Sequence, residues 1–438
     1  MTFREKLLTG LLLFPLAAPV GAMTLSEALE LARETDPELA ALDADLEAEL
    51  EDSRQLLGTR KPSVNAFGSV DQVRSSTRSE TFGSQRDTFT SHALGVEVRQ
   101  PVFRLDWFNR ADRAEALDVQ ASAGRDARLQ AWYLDLAQRY FDALAAAEDL
   151  DLARAEAEAV AESLKDTRQR YEVEAVAGTD LREAEARDDL AQARLLAAEQ
   201  ALDDARERLE ERTGHVGELP RLAETVEPGE LLDGDIDTWT DRAIDQAPDL
   251  QVARAAVELA EGEIRASRSE RGPSLDLVGS VSRFDNSGSV IGQKGNDAEI
   301  GLQLNMPLYQ GGQLSSAERQ ARSRARSAGL ELDRLERELR RRVRDAWRAV
   351  GIAERQTRAF DSAARSAEVA EEATQNGFEA GTRTITDVLN ARSATVEARR
   401  DLATARYDLL LAQLAIKQLT GSLTEESFRD FDRMLARH

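Results

Sequence analysis

The chain has 438 residues, of which 32% are charged and only 5% are aromatic, and its formal net charge is −24. This acidic balance excludes a nucleic-acid binder that relies on a basic surface. Cysteine is absent, which excludes disulfides, thiolate metal sites and a cysteine nucleophile, and a site built on the three scattered histidines would require distant segments to converge.

The first segment of the chain has the features of a cleaved secretory signal. Arg4 and Lys6 precede an apolar run over 7–20, and small residues follow the run. A membrane anchor is the alternative, but the run of about 14 residues is shorter than the roughly 20 that a spanning helix needs. We therefore predict a signal peptide over 1–22. Because no later apolar run reaches that length, membrane insertion of the exported chain would have to use β-strands.

The next segment predicts a helix followed by a β-hairpin. Thr24 and Glu27 form a capping-box start to a helix that runs to about Leu57. Polar and apolar side chains then alternate along two strands of a hairpin over 63–103, with a polar loop over 75–87 between them.

Two long helices follow this hairpin. The first covers about 104–171 without a proline, and at 1.5 Å per residue its roughly 65 residues would form a rod of the order of 100 Å. The second follows a turn near 172–180 and carries a heptad seam of leucine and alanine, which predicts that the two rods pair antiparallel. The seam consists of Leu181, Ala184, Asp188, Ala191, Leu195, Ala198, Leu202, Ala205 and Leu209.

The second half of the chain repeats the order of the first. The tetrapeptide at 36–39 has a similar counterpart at 247–250, and other landmarks recur at nearly the same offset of about 206–211 residues. This half predicts a helix, a hairpin over 273–309, a rod over about 312–377 and a final heptad helix after a turn near 379–386. A free-standing coiled-coil filament would explain the heptads equally well, but it would not explain the hairpins.

The predicted seams of the second half follow the same 3-4 spacing. On the rod the seam consists of Phe360, Ala363, Ala367, Ala370, Thr374 and Gly377. On the final helix it consists of Val388, Ala391, Thr395, Ala398, Leu402, Ala405, Leu409, Ala412, Ile416 and Leu419.

The two hairpins together give four strands, each with one polar and one apolar face. A membrane barrel needs about eight strands, so one chain cannot close it. Two copies would give about eight strands filled by side chains, and three would give about twelve around a water-filled lumen. The polar face favours three copies, and the edge of a soluble sandwich is the alternative. That face carries Glu97, Arg99, Glu299, Gln303 and Asn305.

Three motifs resemble the TolC family of outer-membrane efflux channels. They are Asn-Met-Pro-Leu-Tyr-Gln-Gly-Gly at 305–312, Gly-Thr-Arg-Thr-Ile-Thr-Asp-Val-Leu at 381–389, and Ala-Arg-Tyr leading to Leu-Thr-Gly over 405–421. The order of elements matches the family over about 24–425. The resemblance implies a mixed α/β membrane protein, a homotrimer whose twelve-stranded transmembrane β-barrel, four strands per chain, continues as a long α-helical coiled-coil tunnel through the periplasm.

The resemblance also implies the function and the partners. Such a protein is the outer-membrane exit duct of a tripartite efflux or type I secretion system for small toxic molecules or proteins. Its partners are a periplasmic adaptor (membrane fusion) protein, an inner-membrane pump of the RND or ABC type, and outer-membrane lipid. The heptads and repeats occupy the chain and no nucleophile–base set is evident, so we expect no enzyme, no cofactor and no metal. The alternative is a periplasmic coiled-coil adaptor or scaffold without a pore.

From the duplication and the resemblance we expect two tandem structural repeats. They cover 23–214 and 241–421, an equatorial linker over 215–240 separates them, and a C-terminal tail over 422–438 follows. The resemblance implies that the linker and the tail form a small belt around the middle of the tunnel.

The resemblance assigns a gate to the helix turns. Positions matching Thr179, Asp180 and Arg383 belong to a polar latch that holds the periplasmic mouth closed. Phe378 stands where the family often has tyrosine, so we expect a less tightly held closed state. The alternative is that these charges are solvated surface groups that contribute under about 1 kcal/mol.

The resemblance also implies a pore constriction and two docking turns. Asp387 matches an aspartate that forms a ring in the lumen, and Asn390 occupies the neighbouring ring position without a second carboxylate, which predicts weaker cation selectivity than two rings would give. The alternative is an aspartate that only stabilises a helix N-terminus. Gly381 matches a turn glycine for adaptor docking, whereas Glu174 replaces that glycine in the first half.

Overall fold

The computed structural model of the chain describes most of its residues, over the ranges 22–79, 83–220, 232, 234–286 and 293–435. All but the last residue of the predicted signal peptide lies outside the described residues. So do the tips of both predicted hairpin loops, part of the predicted linker and the last three residues of the predicted tail.

The described residues form two compact units. The first consists of the described residues of Met1–Ala40, Gln130–Trp239 and Val343–His438. The second consists of those of Ala41–Leu129 and Thr240–Arg342.

The described residues contain nine helices and four strands. None of these helices has a segment long and apolar enough to cross a bilayer. In chain order the elements are α1 (Leu25–Thr35), α2 (Pro37–Gly58), β1 (Ser63–Ser79), β2 (Gly83–Arg104), α3 (Trp107–Glu172), α4 (Gly178–Thr213), α5 (Ile236–Gln246), α6 (Pro248–Ser269), β3 (Ser274–Asp285), β4 (Lys294–Asn305), α7 (Gln313–Glu379), α8 (Ile385–Leu419) and α9 (Glu425–Leu435).

The first predicted helix is two helices, α1 and α2, which meet at Asp36. The capping box at Thr24 is present, because Thr24 Oγ1 accepts from the Glu27 amide at 3.2 Å and Glu27 accepts from the Thr24 amide at 2.9 Å. Asp36 has extended backbone angles, as expected of a residue before proline, and its carboxylate accepts from the Glu38 amide at 2.8 Å. The prediction of one continuous helix was wrong because Asp36 and Pro37 end one helix and begin another.

The four strands form one antiparallel sheet in the order β1-β2-β3-β4. The first hairpin extends further than its side-chain pattern predicts, because backbone pairing between β1 and β2 continues to Ser79 and Gly83. Pairing of β2 with β3 is interrupted by an irregularity between Pro101 and Phe103. The outer strands β1 and β4 each have one neighbour within the described sheet.

The predicted antiparallel pairing of α3 with α4 is present in the first unit. Leu150 and Ala153 of α3 pack against Ala198 and Leu202 of α4. The α4 seam is largely buried, as its heptads predict. The buried members are Ala184, Ala191, Ala198, Leu202, Ala205 and Leu209.

Two of the residues predicted for the seam of α7 are exposed rather than buried in the structure. Ala363 and Ala370 are exposed, whereas Ala364 is buried. Alanine occupies both 363 and 364, so composition alone could not fix the phase. Upstream of these positions, Thr357 Oγ1 of α7 donates to the carbonyl of Ala405 on α8 at 3.1 Å.

The predicted C-terminal tail contains helix α9, which contributes to the core of the first unit. Phe428 and Phe431 of α9 are fully buried. The Phe428 ring lies 5.5 Å from that of Tyr133, and the Phe431 ring lies 6.2 Å from that of Phe141. Part of the core of this unit is therefore formed by α9, in a segment for which the sequence analysis predicted no helix or strand.

An ion-pair network around Arg212 joins the junction of α1 and α2 to α3 and α4 in the same unit. Arg212 of α4 contacts Asp36 at 2.9 Å, Asp135 of α3 at 2.8 Å, and Glu38. The Asp36 side chain is only 3% exposed and also accepts from Trp132 Nε1 at 2.7 Å. Burial raises the pKa of Asp36, but the hydrogen bonds from Trp132, the Glu38 amide and Arg212 outweigh it and leave that pKa below its ordinary value.

Candidate functional site

The two turns between the rods have the same backbone conformation. In the first, the Glu174 amide donates to the Tyr171 carbonyl at 2.9 Å, and Glu174 has a left-handed φ of 58°. In the second, the Gly381 amide donates to the Phe378 carbonyl at 2.9 Å, and Gly381 has a φ of 77°. The two predicted docking residues thus occupy equivalent left-handed positions, and Glu174 is the one for which that conformation is costly.

We expect Glu174→Gly to stabilise the first turn. A left-handed conformation costs an ordinary residue about 1–2 kcal/mol, and the extra freedom of glycine in the unfolded chain removes about 0.5–1 kcal/mol of that gain. Amide hydrogen exchange at Ala175 should therefore slow by up to about tenfold. Glu172→Gly, at the end of α3, is the control and should speed exchange; faster exchange in Glu174→Gly would contradict the prediction.

Asp180 and Asp387 both cap the helix that follows their turn. Asp387 accepts from the Thr384 amide at 3.0 Å and from Thr384 Oγ1 at 2.9 Å, and Asp180 accepts from the Ala177 amide at 3.4 Å. Hydrogen bonds from Thr384 and the charge of Arg383 lower the pKa of Asp387. The N-terminal role that was the alternative for Asp387 is therefore present, and the carboxylate is ionised at neutral pH.

The other predicted latch residues lie around the same turns. Arg383 is exposed, and its stem covers Gly377 so closely that an added Cβ there would lie 2.8 Å from Arg383 Cγ. The Arg170 guanidinium lies 5.0 Å from the centre of the Phe378 ring, which is a cation–π distance. Within the described residues of this single chain, Arg383 and Asp180 do not form a salt bridge, so the latch stays a prediction.

Two further predicted residues lie close to Asp180 and Asp387 in the sequence. Thr179 Oγ1 lies 3.5 Å from Asp180 Oδ1, at the limit of hydrogen bonding. Asn390 is exposed one turn after Asp387 on α8.

Polar contacts that the sequence analysis missed join α8 to the α3–α4 pair. The buried carboxylate of Glu156 on α3 accepts from Arg194 of α4 at 3.0 Å and from Ser393 of α8 at 3.2 Å. Near the turns, Thr386 of α8 donates to Glu183 of α4 at 3.4 Å. The sequence signal for the first contact was a glutamate beside apolar positions of α3. This signal does not identify the partners, because they lie on two other helices.

The sheet of the second unit has one apolar and one polar face, as the alternation predicts. Ile300 is 78% exposed, and the other apolar side chains on its face are also exposed. An exposed apolar surface this continuous indicates contact with lipid or protein. The exposed residues of this face include Val64, Val70, Leu94, Val96, Val98, Val281, Leu302 and Leu304.

Comparison of the sequence with known proteins gives matches over nearly the whole chain. The profile of the family described as outer membrane efflux protein matches residues 28–215 and 239–422. The chain is 31% identical to the outer membrane protein TolC of Vibrio cholerae, over 95% of this chain and 94% of that protein. It is 29% identical to the alkaline protease secretion protein AprF of Pseudomonas aeruginosa, over 97% of this chain and 90% of that protein.

The fold is also similar to that of solved structures. The CmeC outer membrane channel of Campylobacter jejuni matches with a TM-score of 0.77 at 14% identity, over 94% of this chain and 89% of that one. At this level of identity the likeness concerns the fold alone.

Proposed function

The chain belongs to the outer membrane efflux protein family, as its motifs predicted, and we infer that it is an outer-membrane exit duct. It would pass small molecules or proteins from an inner-membrane pump, through a periplasmic adaptor, to the outside of the cell. The observation that carries this conclusion is the four-stranded sheet with one exposed apolar face, attached to paired long helices. The family consists of channels rather than enzymes, and a scaffold without a pore would leave the apolar face unexplained.

We propose that three copies close their sheets into a twelve-stranded barrel. The free edges of β1 and β4 support this, because a sheet in a bilayer must leave no backbone group unpaired. The apolar face would meet lipid and the polar face would line the lumen. The family profile matches in two stretches, which supports two tandem repeats over 23–214 and 241–421, with a linker over 215–240 and a tail over 422–438.

The decisive experiment is to determine the membrane location and the mass of the mature protein. Membranes are fractionated, the protein is extracted in detergent, and its mass is measured by light scattering. An outer-membrane species with about three chain masses, conducting in planar bilayers, supports the proposal. A periplasmic monomer or dimer would overturn it in favour of the scaffold.

We propose that the mouth of the duct lies at the turns between the rods, with Thr179, Asp180, Arg383 and Phe378 in its latch. In this arrangement Glu174 and Gly381 would mark the turns at which the adaptor docks. The shared conformation of the two turns supports a common docking geometry.

Phe378→Tyr should hold the mouth more tightly closed. A hydroxyl at this position adds one hydrogen-bonding group, and a bond of about 1 kcal/mol per protomer would lower the open probability about fivefold or more. Single-channel recording in planar bilayers measures it. Tyr171→Phe, at the equivalent position of the first turn, is the control and should not close the mouth; a Phe378→Tyr channel that opens more readily than the parent refutes the latch.

Asp387→Asn should reduce cation selectivity several-fold. Three ionised Asp387 carboxylates around the lumen would attract cations, and Asn390 adds no charge to them. The ratio of potassium to chloride permeability, from reversal potentials in a salt gradient, measures the effect. Asp235→Asn is the matched control, because Asp235 also accepts from a backbone amide at a helix N-terminus, that of Thr238 at 2.9 Å, but is not among the proposed residues of the mouth. An equal change in both variants, or none in Asp387→Asn, would refute the ring.

A further inference from the structure

Three arginines surround one carboxylate in the second unit. Glu318 of α7 accepts from Arg268 Nε at 2.9 Å, from Arg271 at 2.8 Å and from Arg322 at 2.6 Å. The Glu318 residue is 8% exposed, whereas the three arginine side chains are about half exposed. The guanidinium groups lower the pKa of Glu318 to about 2, so the carboxylate stays ionised at neutral pH.

This arginine cluster, Arg268, Arg271 and Arg322 around Glu318, has an excess of positive charge. One carboxylate neutralises one of three guanidinium groups, and each bond to Glu318 uses one of the five N–H donors of its arginine. Residues 265–271 and 318–322 together contain five arginines and two glutamates, in a chain whose net charge is −24. The cluster therefore offers exposed, charged donors in the fork geometry that binds phosphate in a bidentate manner.

The cluster lies next to the points where the chain enters and leaves the sheet. Arg271 is three residues before the start of β3, which corresponds to about 10 Å of extended chain. Between β4 and α7, Leu308 and Tyr309 are 87% and 85% exposed, and Phe108 at the start of α3 is also exposed. Exposed aromatic residues beside a lipid-facing band, with arginines just beyond them, are typical of the level of lipid headgroups.

We propose that the arginine cluster binds the phosphate of an anionic phospholipid headgroup in the leaflet that faces the periplasm. This inference rests on the proposed function, which places the sheet in the outer membrane. Charge complementarity favours an anionic lipid over a zwitterionic one. The cluster would also fix the depth of the sheet, since it binds at one level of the bilayer.

The test compares lipid retention by the parent and by a charge-depleted variant. The full chain is inserted into nanodiscs with equal amounts of phosphatidylglycerol and phosphatidylcholine, and the lipids that remain on the released protein are counted by native mass spectrometry. The variant combines Arg268→Gln, Arg271→Gln and Arg322→Gln with Glu318→Gln, so that no buried carboxylate is left unpaired. Arg324→Gln with Arg326→Gln, two exposed arginines of α7, is the control with the same change of net charge.

The expected result is retention of phosphatidylglycerol by the parent and the control, and an approximately thirtyfold loss in the variant, the effect of two positive charges at an anionic surface. Equal preference for phosphatidylglycerol in the variant and the parent overturns the lipid site. A parent that binds inorganic phosphate but shows no preference for phosphatidylglycerol over phosphatidylcholine also overturns the lipid site. A parent that inserts as a conducting trimer without preference refutes only the lipid site, whereas one that does not insert refutes the proposed function and the lipid site together.

Discussion

Replacing Phe428 and Phe431 by alanine should unfold the first unit under conditions in which the parent is stable. Each buried phenylalanine contributes about 3–5 kcal/mol, and a domain has only about 5–15 kcal/mol in total. The two rings pack against those of Tyr133 and Phe141. Alanine side chains at both positions would leave a cavity beside these partners. Tryptophan fluorescence, to which the buried Trp132 contributes, is recorded during guanidinium unfolding of the detergent-solubilised protein and measures the loss.

The control for this experiment is Arg429→Ala on the same helix. Arg429 is 63% exposed and pairs with Glu425 at 3.8 Å, so its removal should change the free energy of unfolding by less than about 1 kcal/mol. If the double phenylalanine variant unfolds at the same guanidinium concentration as Arg429→Ala, α9 does not belong to the core.

The second large effect is expected for Arg212→Ala. The substitution leaves the buried Asp36 carboxylate without its guanidinium partner, and breaking a buried ion pair in this way costs about 3–5 kcal/mol. Arg182→Ala, also on α4, removes an exposed pair with Glu185 and should cost under about 1 kcal/mol. Guanidinium unfolding measures the loss of stability in each variant. Similar midpoints would mean that the network contributes no more than a surface pair.

The same network predicts the response of the parent to acid. The pKa of Asp36 is lower in the folded chain than its ordinary value of 3.8, so the folded state binds this proton less readily than the unfolded state. The stabilisation is therefore complete above pH 3.8 and is lost as the pH falls through the folded pKa. Arg212→Ala should show a weaker dependence of unfolding on pH in this window.

Regular features of the fold were predictable because they repeat along the chain. The α4 seam around Leu202 and the alternation around Ile300 follow from local spacing, and the second half repeats the first. The four-stranded sheet was predicted on these grounds, and the family was predicted from the resemblance of three motifs; both are confirmed. The gate and ring roles of Arg383 and Asp387 stay predictions, because a single chain does not contain the surfaces that three copies would share.

One feature was missed because it depends on residues far apart in the sequence, and two others were missed although the sequence carried a local signal for them. Nothing near Glu318 predicts that arginines about 50 residues earlier in the chain converge on it. The break at Asp36 was predictable from the proline that follows it. Helix α9 also carried a signal, since Phe428, Phe431 and Leu435 are spaced by three and four residues.

The hydrogen bonds between α9 and the start of α1 affect how the exported chain folds. Asp432 of α9 accepts from the amides of Leu25 and Ser26 at 2.9 Å each, and the first of these bonds joins residues 407 positions apart. If the chain crosses the inner membrane with its N-terminus first, α1 emerges early but obtains these two hydrogen bonds only after Asp432 has crossed. Contacts this distant form slowly because a very long loop must close. The surface of α1 that α9 covers therefore remains exposed during translocation, and we expect the newly exported chain to depend on a periplasmic chaperone until α9 arrives.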